Sequence, residues 1–164
     1  MNSEAKKDVL RSLVYGVYVL GVQDANAPRG GHLTTVSWVM QVSFEPPMIS
    51  VALHRESHAV ALVLQHRTFS LGILPASARA VASKLGRSST DVRDKSESIA
   101  LLDHVRGPSS SPMLEAATGW LECEVDAHLE TGDHMLLAAR VVDASVIGSG
   151  ATLTLAETGW RYSG

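Results

Sequence analysis

The chain has 164 residues and a mass of 17.5 kDa, a length typical of one domain. Apolar residues make up 45% of it and charged residues 19%, a composition that predicts a packed core and excludes a disordered chain. The net charge of −3 excludes an overall basic nucleic-acid surface, and the single cysteine, Cys123, excludes an internal disulfide or a cysteine-rich zinc site.

The first third of the chain predicts one short helix followed by strands. Ser3 can cap the helix, which runs to about residue 12 with Val9 and Leu10 on its inner side. β-branched residues, aromatic residues and turn residues then mark the elements that follow. These are a buried strand over 13–22, a loop over 24–31, a strand over 35–44 and a strand over 48–54.

The strand predicted over 35–44 separates two kinds of side chain, because successive residues of a strand point to opposite faces. One face carries Val36, Trp38, Met40, Val42 and Phe44, and the other carries Thr35, Ser37, Val39, Gln41 and Ser43. The first set predicts a core face. The second is a charge-free row that suits an uncharged polar ring system needing hydrogen bonds. An ordinary solvated strand face is the open alternative.

The rest of the chain predicts two more helices and several antiparallel strands. Ser57 and Ser77 are candidate caps for the two helices, and Cys123 lies on the apolar face of a long strand whose other face carries Glu122. The predicted elements are helices over 56–65 and 77–85, surface loops over 87–98 and 107–112, and strands over 68–74, 118–130, 135–142, 152–155 and 160–162.

Short turns join neighbouring strands, so their pairing is expected to be antiparallel. The prediction is a mainly β single domain over residues 1–164, a small barrel or sandwich with two or three short helices. No apolar run reaches the roughly 18–20 residues of a membrane span, and the charged start lacks the apolar stretch of a signal peptide. We therefore expect a cytoplasmic protein without membrane or nucleic-acid partners.

A cluster of polar residues follows the strand over 48–54. Arg55 can clamp phosphate oxygens, and Ser57 and His58 can donate hydrogen bonds at a helix N-terminus, which favours anions. A capped helix with exposed charge is the alternative. His54 and His58 have a spacing that can hold a metal on one helix, but His54 belongs to the strand, so no metal site is predicted.

The turn before the strand over 135–142 reads Gly132-Asp133-His134. In a functional interpretation, His134 lies at the rim of a cleft and Asp133 orients its ring. In the alternative, His134 is a half-buried histidine that follows an ordinary hairpin turn.

Several stretches taken in order resemble the flavin reductase-like family, whose members are FMN-binding split-barrel domains. The resemblance begins with a Thr- and Ser-rich strand, a Pro46-Pro47 break and an apolar strand over 33–53. It continues through Phe69-Ser-Leu-Gly-Ile-Leu74, Gly119 to Cys123 and the Gly132-Asp133-His134 turn, and spans about residues 13–143. It implies an antiparallel split β-barrel, a homodimer, and FMN near the subunit interface. Gly72 departs from the family pattern, which has Asn there.

The resemblance also implies a set of site residues. The segment lining the isoalloxazine and ribityl chain would be Thr34, Thr35, Val36, Ser37 and Trp38, with Ser43 at its far end. Arg55, Ser57 and His58 match the phosphate region, Lys84 and Arg87 match a basic group supplied from a helix, and His134 matches a histidine near the flavin and the nicotinamide.

The leading hypothesis is therefore an FMN-dependent NAD(P)H:flavin oxidoreductase that passes a hydride from the nicotinamide to flavin N5, with FAD open as the flavin. Two alternatives remain. One is an FMN-binding electron-transfer module, like those fused to flavodiiron proteins, that takes electrons from a redox partner protein. The other is a flavin-free barrel that serves as an interaction subunit.

Overall fold

The structure of the protein, a computed structural model, describes residues 2–27, 29–87, 101–102 and 109–160, with the backbone alone at 101–102. The surface loop predicted over 87–98 lies outside these ranges from residue 88 onwards. The same holds for the start of the loop over 107–112 and for the strand over 160–162 beyond Trp160. No helix in the described ranges is long and apolar enough to cross a membrane.

Within the described ranges the chain forms nine strands, four α-helices and one 3-10 turn. The strands are β1 (Tyr18–Gln23), β2 (Gly31–Val36), β3 (Val39–Ser43), β4 (Met48–His54), β5 (Thr68–Ile73), β6 (Leu101–Leu102), β7 (Met113–Leu114), β8 (Gly119–Thr131) and β9 (His134–Val146). The helices are α1 (Ser3–Arg11), α2 (His58–His66), α3 (Arg79–Leu85) and α4 (Leu155–Thr158), and the 3-10 turn at Ala76–Ala78 leads into α3.

Seven of the strands form one antiparallel sheet in the order β2-β1-β5-β8-β9-β4-β3. The two edge strands, β2 and β3, are consecutive in the chain and only Ser37 and Trp38 separate them. The sheet must therefore curl until its two edges approach each other at this point. The mainly β, antiparallel fold with a few short helices is confirmed.

The core lies inside this curled sheet and beneath α2. Fully buried side chains such as Leu20, Val51, Phe69 and Leu137 fill it, and α2 adds its buried face, capped by Ser57 as predicted. A second apolar cluster packs β1, β2 and Leu74, which follows β5, against α3 and the C-terminal segment. Burial of these aliphatic side chains provides most of the driving force for folding.

The strand predicted over 35–44 is wrong as a single element. It breaks at Ser37 and Trp38. Val36, before the break, faces the core as predicted, but the apolar side chains from Trp38 onwards are exposed, with Met40 at 63% and Phe44 at 88%. β3 is an edge strand paired only with β4, and no segment within the described ranges packs over these side chains.

The first helix also differs from the prediction. Its cap is Asn2 rather than Ser3, and the Asn2 side chain accepts hydrogen bonds from the backbone N–H groups of Glu4 and Ala5 at 3.1 Å. Val9 and Leu10 do not face a core, since they are 67% and 43% exposed. The strand predicted over 13–22 is also shorter at its start, with β1 beginning at Tyr18.

The face of β8 that carries Glu122 was predicted to be exposed to solvent, but part of it is buried. Glu122 is only 2% exposed, and it stands opposite buried Ser70 of β5. The Ser70 hydroxyl donates to the carbonyl oxygen of Pro112 at 2.7 Å, so the segment around Pro112 covers this face. Ser109 and Ser111 are buried with it, which corrects the prediction that this stretch is a surface loop.

The C-terminal strand predicted over 152–155 is wrong as well. Thr152 and Thr154 make isolated bridges, and α4 follows at once. Thr154 and Glu157 form a reciprocal capping box at its start, and Gly159, at φ +72°, ends it. Likewise, Ser77 lies within the 3-10 turn and does not cap α3.

Cys123 is fully buried, as predicted, and burial together with the charge of Glu122 raises the pKa of its thiol to about 12. Because disulfide exchange requires the thiolate, we expect no reaction of the folded protein with an aromatic disulfide reagent at about pH 8. One thiol equivalent should react after unfolding in guanidinium. Rapid stoichiometric labelling of the folded chain would contradict this placement of Cys123.

Candidate active site

A cleft of about 390 Å³ opens where the two edges of the sheet meet. Its walls come from the end of β2, the Ser37–Trp38 junction, the passage from β4 to α2, the end of α3 and the start of β9. The lining residues are Thr34, Thr35, Val36, Ser37, Trp38, His54, Ser57, Ser83, Gly86, Arg87, His134 and Trp160. The break in the predicted strand thus lies at the centre of the site.

Most of the residues that the sequence singled out line this cleft. They are Thr34, Thr35, Val36, Ser37, Trp38, Ser57, Arg87 and His134. Sequence reasoning missed Ser83, Gly86 and Trp160, and it considered His54 only as a metal ligand. Spacing could have indicated Ser83, because it lies four positions before Arg87, about one helical turn, whereas Lys84 is not in the lining.

Four of the predicted residues are not in the lining: Ser43, Arg55, His58 and Lys84. Ser43 pairs with Met48 at the far end of β3. The Arg55 guanidinium donates to the carbonyl oxygen of Gly132 at 3.2 Å, and the His58 imidazole donates to the Asp24 carboxylate at 2.8 Å. These two side chains connect neighbouring loops.

The wall formed by β2 is polar and carries no charge. The Thr35 hydroxyl donates to the carbonyl oxygen of Ala82 at 2.8 Å and so fastens β2 to α3, while Thr34 and Ser37 are half-buried in the lining. Since β2 is an edge strand, half of its backbone N–H and C=O groups point away from β1. This wall can offer several neutral hydrogen bonds to a flat ligand.

Two places in the lining of the cleft carry positive charge or partial positive charge. Arg87 lies just after α3, and it is the lining's one guanidinium or ammonium group among the described residues. Ser57 marks the start of α2, where its hydroxyl oxygen accepts from the N–H of Val60 at 3.4 Å. The N-terminus of a helix carries partial positive charge and spare N–H groups, so both places favour an anion.

Aromatic rings form a second part of the lining. The rings of Trp38 and His134 stack with centroids 4.5 Å apart and planes tilted by 33°, and His54 meets His134 edge-on at 5.6 Å. The His134 Nδ1 atom donates to Asp133 at 2.6 Å, and this hydrogen bond lowers the pKa of the Asp133 carboxyl below its usual value. The ionised carboxylate therefore fixes the orientation of the His134 ring.

Gly72, which departs from the family pattern, lies where two packed elements leave no room. A Cβ atom there would come within 2.8 Å of a Val19 methyl group and 3.2 Å of the Ala117 side chain. An asparagine would not fit in this packing. The glycine therefore allows the close packing of Val19 and Ala117 at this position.

The fold and the cleft are those of a small barrel that can bind a flat, anionic cofactor, and comparison with known proteins gives the family. Residues 10–162 match the model of the flavin reductase like domain. The chain is 30% identical over 142 residues to an NADPH-flavin oxidoreductase of Streptomyces viridifaciens, covering 84% of this chain and 69% of that protein. It is 29% identical over 119 residues to the FMN reductase (NADH) RutF of Klebsiella pneumoniae, covering 73% and 69%.

Solved structures show the same fold. The NADH:FAD oxidoreductase SgcE6 of Streptomyces globisporus, in complex with NAD and FAD fragments, superposes with a TM-score of 0.80 at 19% identity, over 95% of this chain and 89% of that one. The chain spans less than half the length of several curated relatives that it matches. It belongs to the flavin reductase-like domain family.

Proposed function

We propose that this chain is a flavin reductase, which binds FMN in the cleft and reduces it with NADH or NADPH. One observation carries the proposal. The charge-free polar wall of β2, the Trp38–His134 ring pair and the Arg87 guanidinium all line the same cleft. These are the three kinds of group that a flat, polar, phosphate-bearing ring system needs. The names of its relatives, which include NADH- and NADPH-dependent flavin reductases, support it.

In this proposal the isoalloxazine lies along the end of β2. Its carbonyl and ring nitrogen atoms need neutral donors and acceptors, which Thr34, Ser37 and the free edge of β2 supply. Thr35 contributes by position, because its hydroxyl already donates to Ala82 and holds the wall against α3. Hydrogen-bond donors here would also favour the negative charge that the reduced ring carries.

The phosphate is assigned to Arg87 and to the start of α2 at Ser57. Arg87 can form paired charge-assisted hydrogen bonds with phosphate oxygens, and the α2 N-terminus adds backbone N–H groups. Arg55 and His58 are engaged with Gly132 and Asp24, so their predicted phosphate role would require them to leave these partners.

The nicotinamide is expected to enter beside Trp38 and His134. A bound flavin supplies the redox chemistry, since it accepts a hydride at N5. The protein supplies position: the stacked rings give a flat surface, and Asp133 holds the His134 ring in place. No carboxylate lines the cleft in the described part of the chain, in keeping with a reaction that needs no dedicated acid–base pair.

Because reduced nicotinamide is an intracellular reductant, we propose a cytoplasmic location.

The test is the colour of the purified protein and its response to reductant. We expect FMN in the purified or reconstituted protein, identified by mass spectrometry after release, and loss of its visible absorbance on anaerobic mixing with NADH or NADPH. Bound flavin that neither nucleotide bleaches would instead favour an electron-transfer module. The chain also matches part of a putative diflavin flavoprotein of Nostoc. Failure to bind any flavin would overturn the proposal.

A variant at His134 separates positioning from flavin retention. His134→Ala is expected to slow the bleaching phase while flavin content is unchanged, because the ring pair faces the nucleotide rather than the phosphate. The matched control is His128→Ala, an exposed histidine on β8 outside the cleft lining. Loss of flavin from His134→Ala alone would contradict this role.

The phosphate assignment predicts that Arg87→Ala weakens FMN binding by about 1.5–3 kcal/mol, or roughly 10- to 150-fold in Kd. Arg55→Ala is the matched comparison, since it removes the same group from outside the lining. Titration of the apoproteins with FMN and with riboflavin measures both effects, and the loss should vanish for riboflavin, which lacks the phosphate. A larger loss in Arg55→Ala would place the phosphate at Arg55.

We also propose that the protein is a homodimer, as the family resemblance implies. The edge strand β3 exposes Met40 and Val42, and Phe44 directly after it is exposed as well. No residue of α1 is buried, although it carries Val9 and Leu10. Exposed apolar side chains on both α1 and β3 are typical of a surface that another chain covers. A second copy of this chain is the occupant that we propose.

Light scattering during gel filtration is expected to give twice the 17.5 kDa mass of one chain. Met40→Glu should shift the protein to the monomer, because a carboxylate would be buried in the interface. Gln65→Glu, which adds the same charge at an exposed position on α2, should remain dimeric. A wild-type protein that is monomeric at micromolar concentration would contradict the proposal.

A further inference from the structure

A cluster of metal-ligand side chains lies outside the cleft lining, where the loop after β1 meets β2 and the first turn of α2. It consists of Asp24, His32 and His58. One ligand atom from each lies within 4.8 Å of the other two, and the His58 Nε2 and Asp24 Oδ2 atoms are 2.8 Å apart. The sequence prediction of no metal site considered only the pair His54 and His58, and Asp24 and His32 were not singled out.

The carboxylate of Asp24 is held in place from two sides. Its side chain is only 8% exposed, and its Oδ1 atom accepts the backbone N–H of Asn26 at 3.0 Å. Its Oδ2 atom faces the imidazole of His58. Burial raises the pKa of Asp24, but the hydrogen bonds from His58 and Asn26 outweigh it and leave the pKa below its ordinary value. The group is thus a buried, ionised ligand at neutral pH.

The two histidines are positioned by separate elements of the barrel. His32 belongs to β2 and is paired with Val22 of β1, and His58 is the first residue of α2, directly after its cap. Their rings meet edge to face, with centroids 5.2 Å apart and planes at 88°.

We propose that Asp24, His32 and His58 bind one divalent transition-metal ion, with Zn²⁺ as the best match. Two imidazole nitrogens and one carboxylate oxygen are a ligand set that zinc accepts in tetrahedral geometry, with water in the fourth position. Calcium and magnesium prefer oxygen ligands alone, so this set disfavours them. The proposal stands apart from the flavin proposal.

The geometry needs only small side-chain movements. Ligand atoms around tetrahedral zinc lie about 3.4 Å apart, given metal–ligand distances of about 2.1 Å. The present separations are at most 4.8 Å. The His58 side chain is 46% exposed, so it can rotate and also leaves a path by which the ion enters. A bound ion would join the β1–β2 loop to α2.

The test uses the full chain freed of any affinity tag and of metal by chelation, at about pH 8, where free imidazole is neutral. Titration with ZnCl₂ by calorimetry is expected to show one ion per chain with a Kd in the micromolar range or tighter, and zinc should raise the Tm. His32→Gln is expected to weaken binding by at least about 100-fold and to abolish the Tm shift, since a lost ligand costs more than a lost outer contact.

Two further variants keep the test decisive. Asp24→Asn should also lose zinc binding, with folding checked by circular dichroism, and if it fails to fold then His32→Gln alone decides. His128→Ala removes an exposed histidine elsewhere and should bind zinc like the wild type. The proposal is overturned if the wild type binds no zinc at micromolar concentration, or if His32→Gln binds it as tightly as His128→Ala. Flavin content, measured on the same samples, reports on the flavin proposal separately.

Discussion

The structure depends on one connection between the two edges of its sheet. β2 and β3 lie at opposite ends of a seven-stranded order, yet only Ser37 and Trp38 join them. Two residues cannot span an open sheet, because an extended residue covers at most about 3.6 Å. The sheet therefore curls, and its hydrogen-bonded ladder is interrupted where the edges meet. The cleft opens at this interruption, so closure of the fold and formation of the site have the same cause.

The chemistry of the cleft follows from what each element brings to this point. An edge strand contributes backbone groups and neutral hydroxyls, a helix start contributes N–H groups at Ser57, and Arg87 contributes the charge. Trp38, in the junction itself, turns its ring onto His134, whose orientation Asp133 fixes. The cleft therefore has an aromatic part beside its polar one. This combination suits a planar cofactor with an anionic tail better than a small charged substrate.

Contacts between loops give different surroundings to residues that have the same side chain and a similar position in the sequence. Arg55 and Arg87 are both cations near a helix end, but Arg55 reaches the Gly132 carbonyl and only Arg87 lines the cleft. His58 was predicted beside a phosphate and instead meets Asp24, some thirty positions earlier in the chain. These contacts depend on where the β8–β9 turn and the β1–β2 loop lie. The residues next to Arg55 and His58 in the sequence do not predict the position of either segment.

The amino-acid sequence by itself determined most of the element types, the antiparallel pairing, the buried Cys123 and the neutral hydroxyls of Thr35 and Ser37, because strand alternation, turn residues and caps act over a few neighbours. Only the tertiary structure decided that the strand over 35–44 breaks at Ser37, that Met40 and Phe44 remain exposed, and that Glu122 is buried beneath the segment around Pro112. Exposure depends on which distant segment covers a face. Periodicity along one strand shows that it has two faces, but what packs on each is set by the path of the whole chain.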